Sequence, residues 1–282
     1  MRILWVFGVA LGLNLDAKAI VFYSSGNDHN TTDPGNDLPW QNVVEVRSSS
    51  GITGSGVYLG NRYVLTAAHV GPTEVIRINS TDFSLEPAVQ IQIGTADMKL
   101  LRLQSDPGLG NVLLNTIATN DFGAARLVGY GVGRSSSSLL NQSPVPWGDS
   151  ATVAKRWGSN TVDGWMSVLS GGYTSSVLVT QFNTNQGVDE AALTQFDSGS
   201  ALFRFIDSQW YLAGIGAYVR TPGSSTANPT DSSYSQPDDD NYFIRISTYA
   251  TAQDFLGGVA VPEPGVIQLL GGAGLFYLLR RR

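Results

Sequence analysis

The chain has 282 residues, 42% of them hydrophobic and 14% charged, with 32 Gly, 12 Pro and a formal net charge of −6. That apolar fraction excludes disorder over most of the length and suffices for one large domain or two small ones, and the acidic balance argues against a protein that holds nucleic acid through its phosphates. With Cys at 0 and only two His, disulfides, thiolate catalysis and Cys-ligated zinc are excluded, a His-rich metal site is disfavoured, and neither metal nor cofactor is expected.

Taken in chain order, Arg2 precedes an apolar run over residues 3–13, and Ala17-Lys18-Ala19 follows. A basic start, a short apolar core and a small-x-small site predict a secretory signal peptide over residues 1–19, removed by signal peptidase to leave Ile20-Val21 at the new N-terminus. The apolar run is too short to cross a bilayer, which takes roughly 20 residues. Short runs rich in Val, Ile, Leu and Tyr then recur at residues 43–46, 56–59, 63–65, 75–78, 100–103, 125–130, 176–180, 201–205, 211–215 and 242–246, bounded by Gly, Ser, Asn and Pro. This pattern predicts many strands and an all-β sandwich or barrel. Helical signals are confined to one turn at residues 67–70 and a helix over 247–256 with Ser247 as its N-cap. Residues 135–138 and 221–240 read as polar loops.

The chain ends with Pro262-Glu263-Pro264-Gly265, an apolar and Gly-rich run over 266–279, and Arg280-Arg281-Arg282. A breaker, a short apolar helix and a basic stop in this order resemble the PEP-CTERM sorting signal of Gram-negative bacteria. The resemblance implies processing by an exosortase-type enzyme and contact with the membrane only through this tail before processing. It also implies a destination outside a Gram-negative cell or on its surface. A plain tail anchor is the competing reading.

Three segments between these ends carry chemistry: Thr66-Ala67-Ala68-His69 directly after a strand, Asp97-Met98-Lys99-Leu100-Leu101, and Phe196-Asp197-Ser198-Gly199-Ser200. Pro39-Trp40-Gln41, Leu212-Ala213-Gly214-Ile215 and residues 242–247 keep the same order around them. Across nearly the whole region between the two ends the chain resembles the chymotrypsin/trypsin family of serine endopeptidases. The resemblance implies two six-stranded antiparallel β-barrels with a short C-terminal helix. Residues 20–124 would form the first barrel with His69 and Asp97, residues 125–258 the second barrel and helix with Ser198, and residues 259–282 the sorting tail. It further implies that Ser198 is the nucleophile, His69 the general base and Asp97 the residue that orients the imidazole. Asp82 and Asp106 are the substitutes for Asp97, whereas His29 lies in a polar, loop-like stretch. The implied substrates are polypeptides, and the implied activity is that of a secreted serine endopeptidase. An α/β-hydrolase esterase would need Gly-x-Ser-x-Gly and the order Ser, Asp, His, and the chain has neither.

Two details depart from the family pattern. The family forms its oxyanion hole from the backbone N–H groups of the nucleophile and of a Gly two residues earlier, here Ser198 and Phe196. A Cβ-bearing residue in the left-handed conformation costs roughly 1–2 kcal/mol, so either the fold tolerates the strain or the peptide flips and the hole is incomplete. In the second case the chain would be a catalytically weak or inactive surface or matrix binding protein of the same fold. The specificity pocket implied by the resemblance has Ala192 at its floor and Ala217, Tyr218 and Val219 along its wall, which favours a small apolar side chain before the scissile bond. Asp189, Glu190 and Asp238-Asp239-Asp240 are the rival determinants, which would favour basic substrates. The resemblance also implies activation by the Ile20 ammonium inserting beside Asp197, with the alternative that Ile20-Val21 is simply a first strand.

Overall fold

The computed structural model describes residues 20–220 and 234–250. The predicted signal peptide, the sorting tail and residues 221–233 lie outside them. Among the described residues no helix is long and apolar enough to cross a membrane.

The first strand, β1 (Val21–Phe22), is followed by a six-stranded barrel of β2 (Val43–Ser48), β3 (Gly51–Gly60), β4 (Tyr63–Thr66), β5 (Val75–Ile78), β6 (Thr81–Gln92) and β7 (Lys99–Leu103). Its order is β2-β3-β4-β7-β6-β5, closed by antiparallel β2–β5 pairing. Alternation along the strands sends Val44 and Val46 inward to meet Tyr58, Val64, Ile76 and Leu101 in a common core. The opposite faces of β4 and β7 are also apolar: Leu65 and Leu100 pack in a second cluster with Val128, Phe203 and Ile215 of the C-terminal half. These two strands are therefore buried on both sides, and they form the seam between the halves.

The chain crosses over through β8 (Leu113–Leu114), β9 (Gly123–Gly129), β10 (Val145–Pro146), β11 (Arg156–Ser170), β12 (Tyr173–Gln181), β13 (Ala191–Ala192), β14 (Ala201–Ile206), β15 (Gln209–Arg220), β16 (Tyr234–Ser235) and β17 (Asp240–Arg245). Six of these close a second ring in the order β14-β9-β11-β12-β17-β15, joined by β14–β15 pairing, and β8 adds to β15 in parallel. Leu127, Leu178, Leu202, Ala213 and Phe243 fill it, together with Ile20 and Phe22 from the N-terminus. β1 pairs with β13, so the N-terminal segment docks on the second half. The fold is thus all-β, with a closed six-stranded barrel, a second ring and one short helix, as expected.

Each apolar run read from the sequence lies on a strand and overruns it by at most one residue, though several strands extend further than the run. Two long strands carried no such signal. β6 contains Glu86 and Pro87 and a register shift between Leu85 and Gln90, and β11 alternates through Ser159, Thr161 and Asp163 with a shift between Val162 and Gly164. Bulges break the two-residue period on which the sequence reading depends. The C-terminal helix α1 (Ile246–Tyr249) has Arg245 at its N-cap, not Ser247. The Ser247 hydroxyl instead donates to Asp121 Oδ2 at 2.8 Å, and that same oxygen accepts from Arg245 Nε at 2.6 Å. The remainder of the expected helix lies outside the described residues.

Candidate active site

Register places the first two functional side chains. β4 and β7 are antiparallel with Thr66 opposite Lys99, so the residues leaving β4 and those entering β7 emerge side by side at one end of the barrel. His69 follows β4 in a tight turn closed by Val70 N–H to the Ala67 carbonyl at 3.2 Å, and Asp97 stands two residues before β7. Lys99 Nζ donates to the Val70 carbonyl at 2.7 Å and ties that turn to β7. Asp97 is fully buried and its carboxylate accepts twice from His69, from the backbone N–H at 2.9 Å and from the ring Nδ1 at 2.6 Å. Its own N–H donates to Ser175 Oγ of β12 at 2.9 Å. Burial alone would raise the carboxyl, but the hydrogen bonds and charge of His69 and the hydroxyl of Tyr218 outweigh it and hold Asp97 below the usual carboxylate range.

Ser198 comes from the other half, in the turn that feeds β14. Its Oγ lies 2.8 Å from His69 Nε2, which completes an Asp97–His69–Ser198 chain of hydrogen bonds. Ser200 N–H donates to the Asp197 carbonyl and Gly199 N–H to the Gly216 carbonyl, which fix the turn against β15. Gly199 has φ +88°, and a Cβ there would sit 1.9 Å from the Ser55 carbonyl, so this position admits only glycine. Asp97 accounts for the triad position alone: Asp82 is paired with Arg77, and Asp106 accepts from the Tyr58 hydroxyl. His29 is bonded to Asp189 at 2.7 Å, away from the nucleophile.

Phe196 has φ +72°, the strained conformation that its place in the sequence demands. Both flanking carbonyls are held. Val132 N–H donates to the Gln195 carbonyl at 2.8 Å, and Ser55 Oγ donates to the Phe196 carbonyl at 2.9 Å. Because a trans peptide sets its N–H opposite its C=O, fixing the Gln195 carbonyl on Val132 turns the Phe196 N–H the other way. Neither that N–H nor the Ser198 N–H donates to a backbone carbonyl among the described residues. Ser55 ties the site together, since its N–H also donates to the Ser198 carbonyl at 2.8 Å and its Oγ accepts from Tyr130 N–H at 2.9 Å. Nothing in the sequence marks this hydroxyl, whose partner is 141 positions away.

The remaining expected residues lie as follows. Asp197 is fully buried, with its carboxylate accepting from Gly131 N–H, Thr194 N–H and Thr194 Oγ1 at 2.8–2.9 Å. Burial pushes it up to about 6 against these donors and the nearby charge of Arg156. Ile20 has φ +51° and packs in the core of the second ring, and Val21 pairs with Ala192. Ala192 is buried with Val21, Val145 and Phe182, whereas Val219 packs with Leu193 and Phe243. Ala217 and Tyr218 belong to the seam cluster, and the Tyr218 hydroxyl is turned onto Asp97. Of the acidic residues, Asp189 is held by His29 and Asn30, Glu190 is buried and accepts from Asn183 N–H, and Asp240 pairs with Arg220 at 3.4 Å. A cleft of about 430 Å³ opens beside Phe196, lined by Glu45, Arg47, Ile52, Tyr130 and Val153 among others. Among the described residues no group of three or more His, Asp or Glu is arranged to hold a metal ion.

This arrangement has a base in contact with a hydroxyl and a buried carboxylate behind the base, with the Phe196 and Ser198 N–H groups donating to no backbone carbonyl among the described residues, which together suit acyl transfer. The chain is similar in structure to the active form of the Rv3671c protease from M. tuberculosis, with a TM-score of 0.54 and 13% identity, over 93% of this chain and 96% of that one. It is likewise similar to neuropsin, a serine protease expressed in the limbic system of mouse brain, with a TM-score of 0.51 and 18% identity over 79% and 95% of the two chains. The inactive form of a Ser-to-Ala mutant of Rv3671c gives 0.53 and 13% over 86% and 97%. At these identities the likeness establishes the fold. No curated protein matches the chain in sequence. The sequence model of the Trypsin family matches residues 27–237, and with that match over most of the chain the protein belongs to the trypsin family and carries a chymotrypsin-like serine protease domain.

Proposed function

We propose that the protein is a secreted serine endopeptidase that cleaves polypeptides through an acyl-enzyme. The observation that carries this reading is the unbroken chain from Asp97 through His69 to Ser198 Oγ. His69 Nε2 takes the Ser198 proton as Oγ bonds to the substrate carbonyl carbon, and the two N–H groups receive the developing oxyanion. The C–N bond then breaks, with the proton passing from Nε2 to the leaving amine. A water activated by the same nitrogen releases the acid and restores Ser198. Asp97 keeps Nδ1 protonated throughout, so Nε2 is free to accept.

The alternative of an inactive binding protein is not favoured, since Val132 N–H and Ser55 Oγ engage the carbonyls on both sides of Phe196 and so oppose a flipped turn. Ala192 and Val219 favour a small apolar residue before the scissile bond, since a buried Lys or Arg there would lack a counter-charge. Secretion through residues 1–19 and processing of the tail by an exosortase-type enzyme complete the proposal. A library of unstructured peptides digested by the protein, with products sequenced, tests it. Cleavage absent in Ser198→Ala and concentrated after Ala, Val or Thr supports the reading, and a library left intact by the parent protein rejects it.

A further inference from the structure

The Asp97 carboxylate has a third donor. Tyr218, on β15, directs its hydroxyl at the oxygen that also accepts from His69 Nδ1, and its ring lies over the imidazole with centroids 5.8 Å apart and planes 21° from parallel. The tyrosine is 4% exposed and the carboxylate fully buried, so water has no access with which to replace this bond. The hydroxyl is itself hydrogen-bonded to Ser170 at the end of β11, which orients it. We propose that Tyr218 is a positioning residue of the triad, acting through Asp97 rather than lining the substrate pocket. The inference rests on the protease reading above.

Oδ2 of Asp97 accepts from two donors at once, His69 Nδ1 and the Tyr218 hydroxyl. Asp97 Oδ1 is fixed by the His69 N–H, and with Tyr218 on Oδ2 the carboxylate cannot rotate out of the imidazole plane. The same hydroxyl draws charge from the carboxylate and weakens its pull on the imidazolium that forms during reaction. Burial and the neighbouring carboxylate both raise the phenol, so it stays protonated and donates at any pH at which the enzyme works. The ionisable groups acting on this pair are His69, Lys99, whose charge is felt by Asp97, and Tyr173, which faces Tyr218 from β12. Lys99 Nζ does not supply the missing donor, being hydrogen-bonded to the Val70 carbonyl.

Tyr218→Phe keeps the ring over His69 and removes only the donor. The expected result is a fall in kcat of about 10-fold with KM changed by less than about 2-fold, and an acid limb of the kcat/KM profile moved to higher pH by about half a unit. Placing 3-fluorotyrosine at position 218 makes the hydroxyl a stronger donor without removing it, and should move the limb to lower pH. A residue that only fills space would leave the limb in place in both proteins. An active parent whose Tyr218→Phe form keeps its kcat and pH profile overturns this inference alone. A parent that neither cleaves peptides nor takes up a fluorophosphonate overturns the protease reading and this inference with it. If Tyr218→Phe does not fold, the fluorotyrosine protein decides, and an unmoved limb overturns the inference.

Discussion

Ser55→Ala is the substitution that most directly tests how the strained oxyanion turn is held. Phe196 at φ +72° carries about 1–2 kcal/mol of strain, and the Ser55 hydroxyl offsets it with a hydrogen bond to the Phe196 carbonyl worth about 1 kcal/mol net. Removing that bond shifts the balance toward a flipped peptide by about 1 kcal/mol, or about 5-fold in the ratio of competent to flipped turns. A flipped turn has lost one oxyanion donor, at a cost of about 100- to 1000-fold in rate, so kcat/KM should fall in proportion to the competent fraction, by at most about 5-fold. The Tyr130 N–H also loses its acceptor, which removes about 1–3 kcal/mol of stability. Phe196→Gly relieves the strain, so Ser55→Ala/Phe196→Gly should recover most of the lost kcat/KM, measured on a chromogenic peptide beside thermal unfolding of each variant. Unchanged kcat/KM in Ser55→Ala, or a double variant as slow as the single one, would refute the reasoning.

Asp97→Asn should leave the fold intact and lower kcat by about 10⁴-fold, as for this triad elsewhere in the family, because the amide stabilises the wrong imidazole tautomer. A loss under about 10-fold would remove Asp97 from the triad. Asp197, held near 6 in the folded chain, contributes stability that is present below about pH 4 and lost as pH rises through about 6. The unfolding free-energy gap between the parent and Asp197→Asn should therefore narrow by about 3 kcal/mol over that window in a chain still extended beyond Ile20. A widening gap would instead place a cation at the carboxylate and overturn this assignment. Val219→Gly should shift peptide preference toward larger apolar residues, and cutting mainly after Arg or Lys would overturn the neutral-pocket reading. Mass spectrometry of protein secreted by its native host should find Ile20 first and no peptide from residues 266–282, whereas an intact C-terminus on secreted material contradicts the sorting proposal.

Local signals carried much of this architecture. Thr66 through His69 follows a strand whose apolar alternation is plain, and Asp97 precedes another, so their adjacency follows once β4 and β7 pair. The roles of Ser55, Ser175 and Tyr218 were not legible, because each depends on a contact across the seam between the two halves. Tyr218 shows the limit most clearly. Its place in the chain assigns it to a pocket wall, but the direction of a side chain is set by the packing of β15, which no local pattern encodes. The strain at Phe196 was readable from the sequence, whereas its compensation was not, since Val132 and Ser55 lie 64 and 141 residues away. β6 and β11 were hidden for a different reason, as bulges and polar faces interrupt their period.

Activation of the Ser198 nucleophile by His69 is measured most directly by covalent labelling. The protein is treated with a fluorophosphonate, digested, and the modified peptide located by mass spectrometry, with Ser198→Ala and His69→Ala as companions. Attack on phosphorus displaces fluoride and leaves the phosphonyl group on Oγ, so the account predicts a stoichiometric adduct on Ser198, none in Ser198→Ala and a labelling rate lowered by at least about 100-fold in His69→Ala. An unlabelled parent protein, or an adduct that persists in Ser198→Ala, would contradict it.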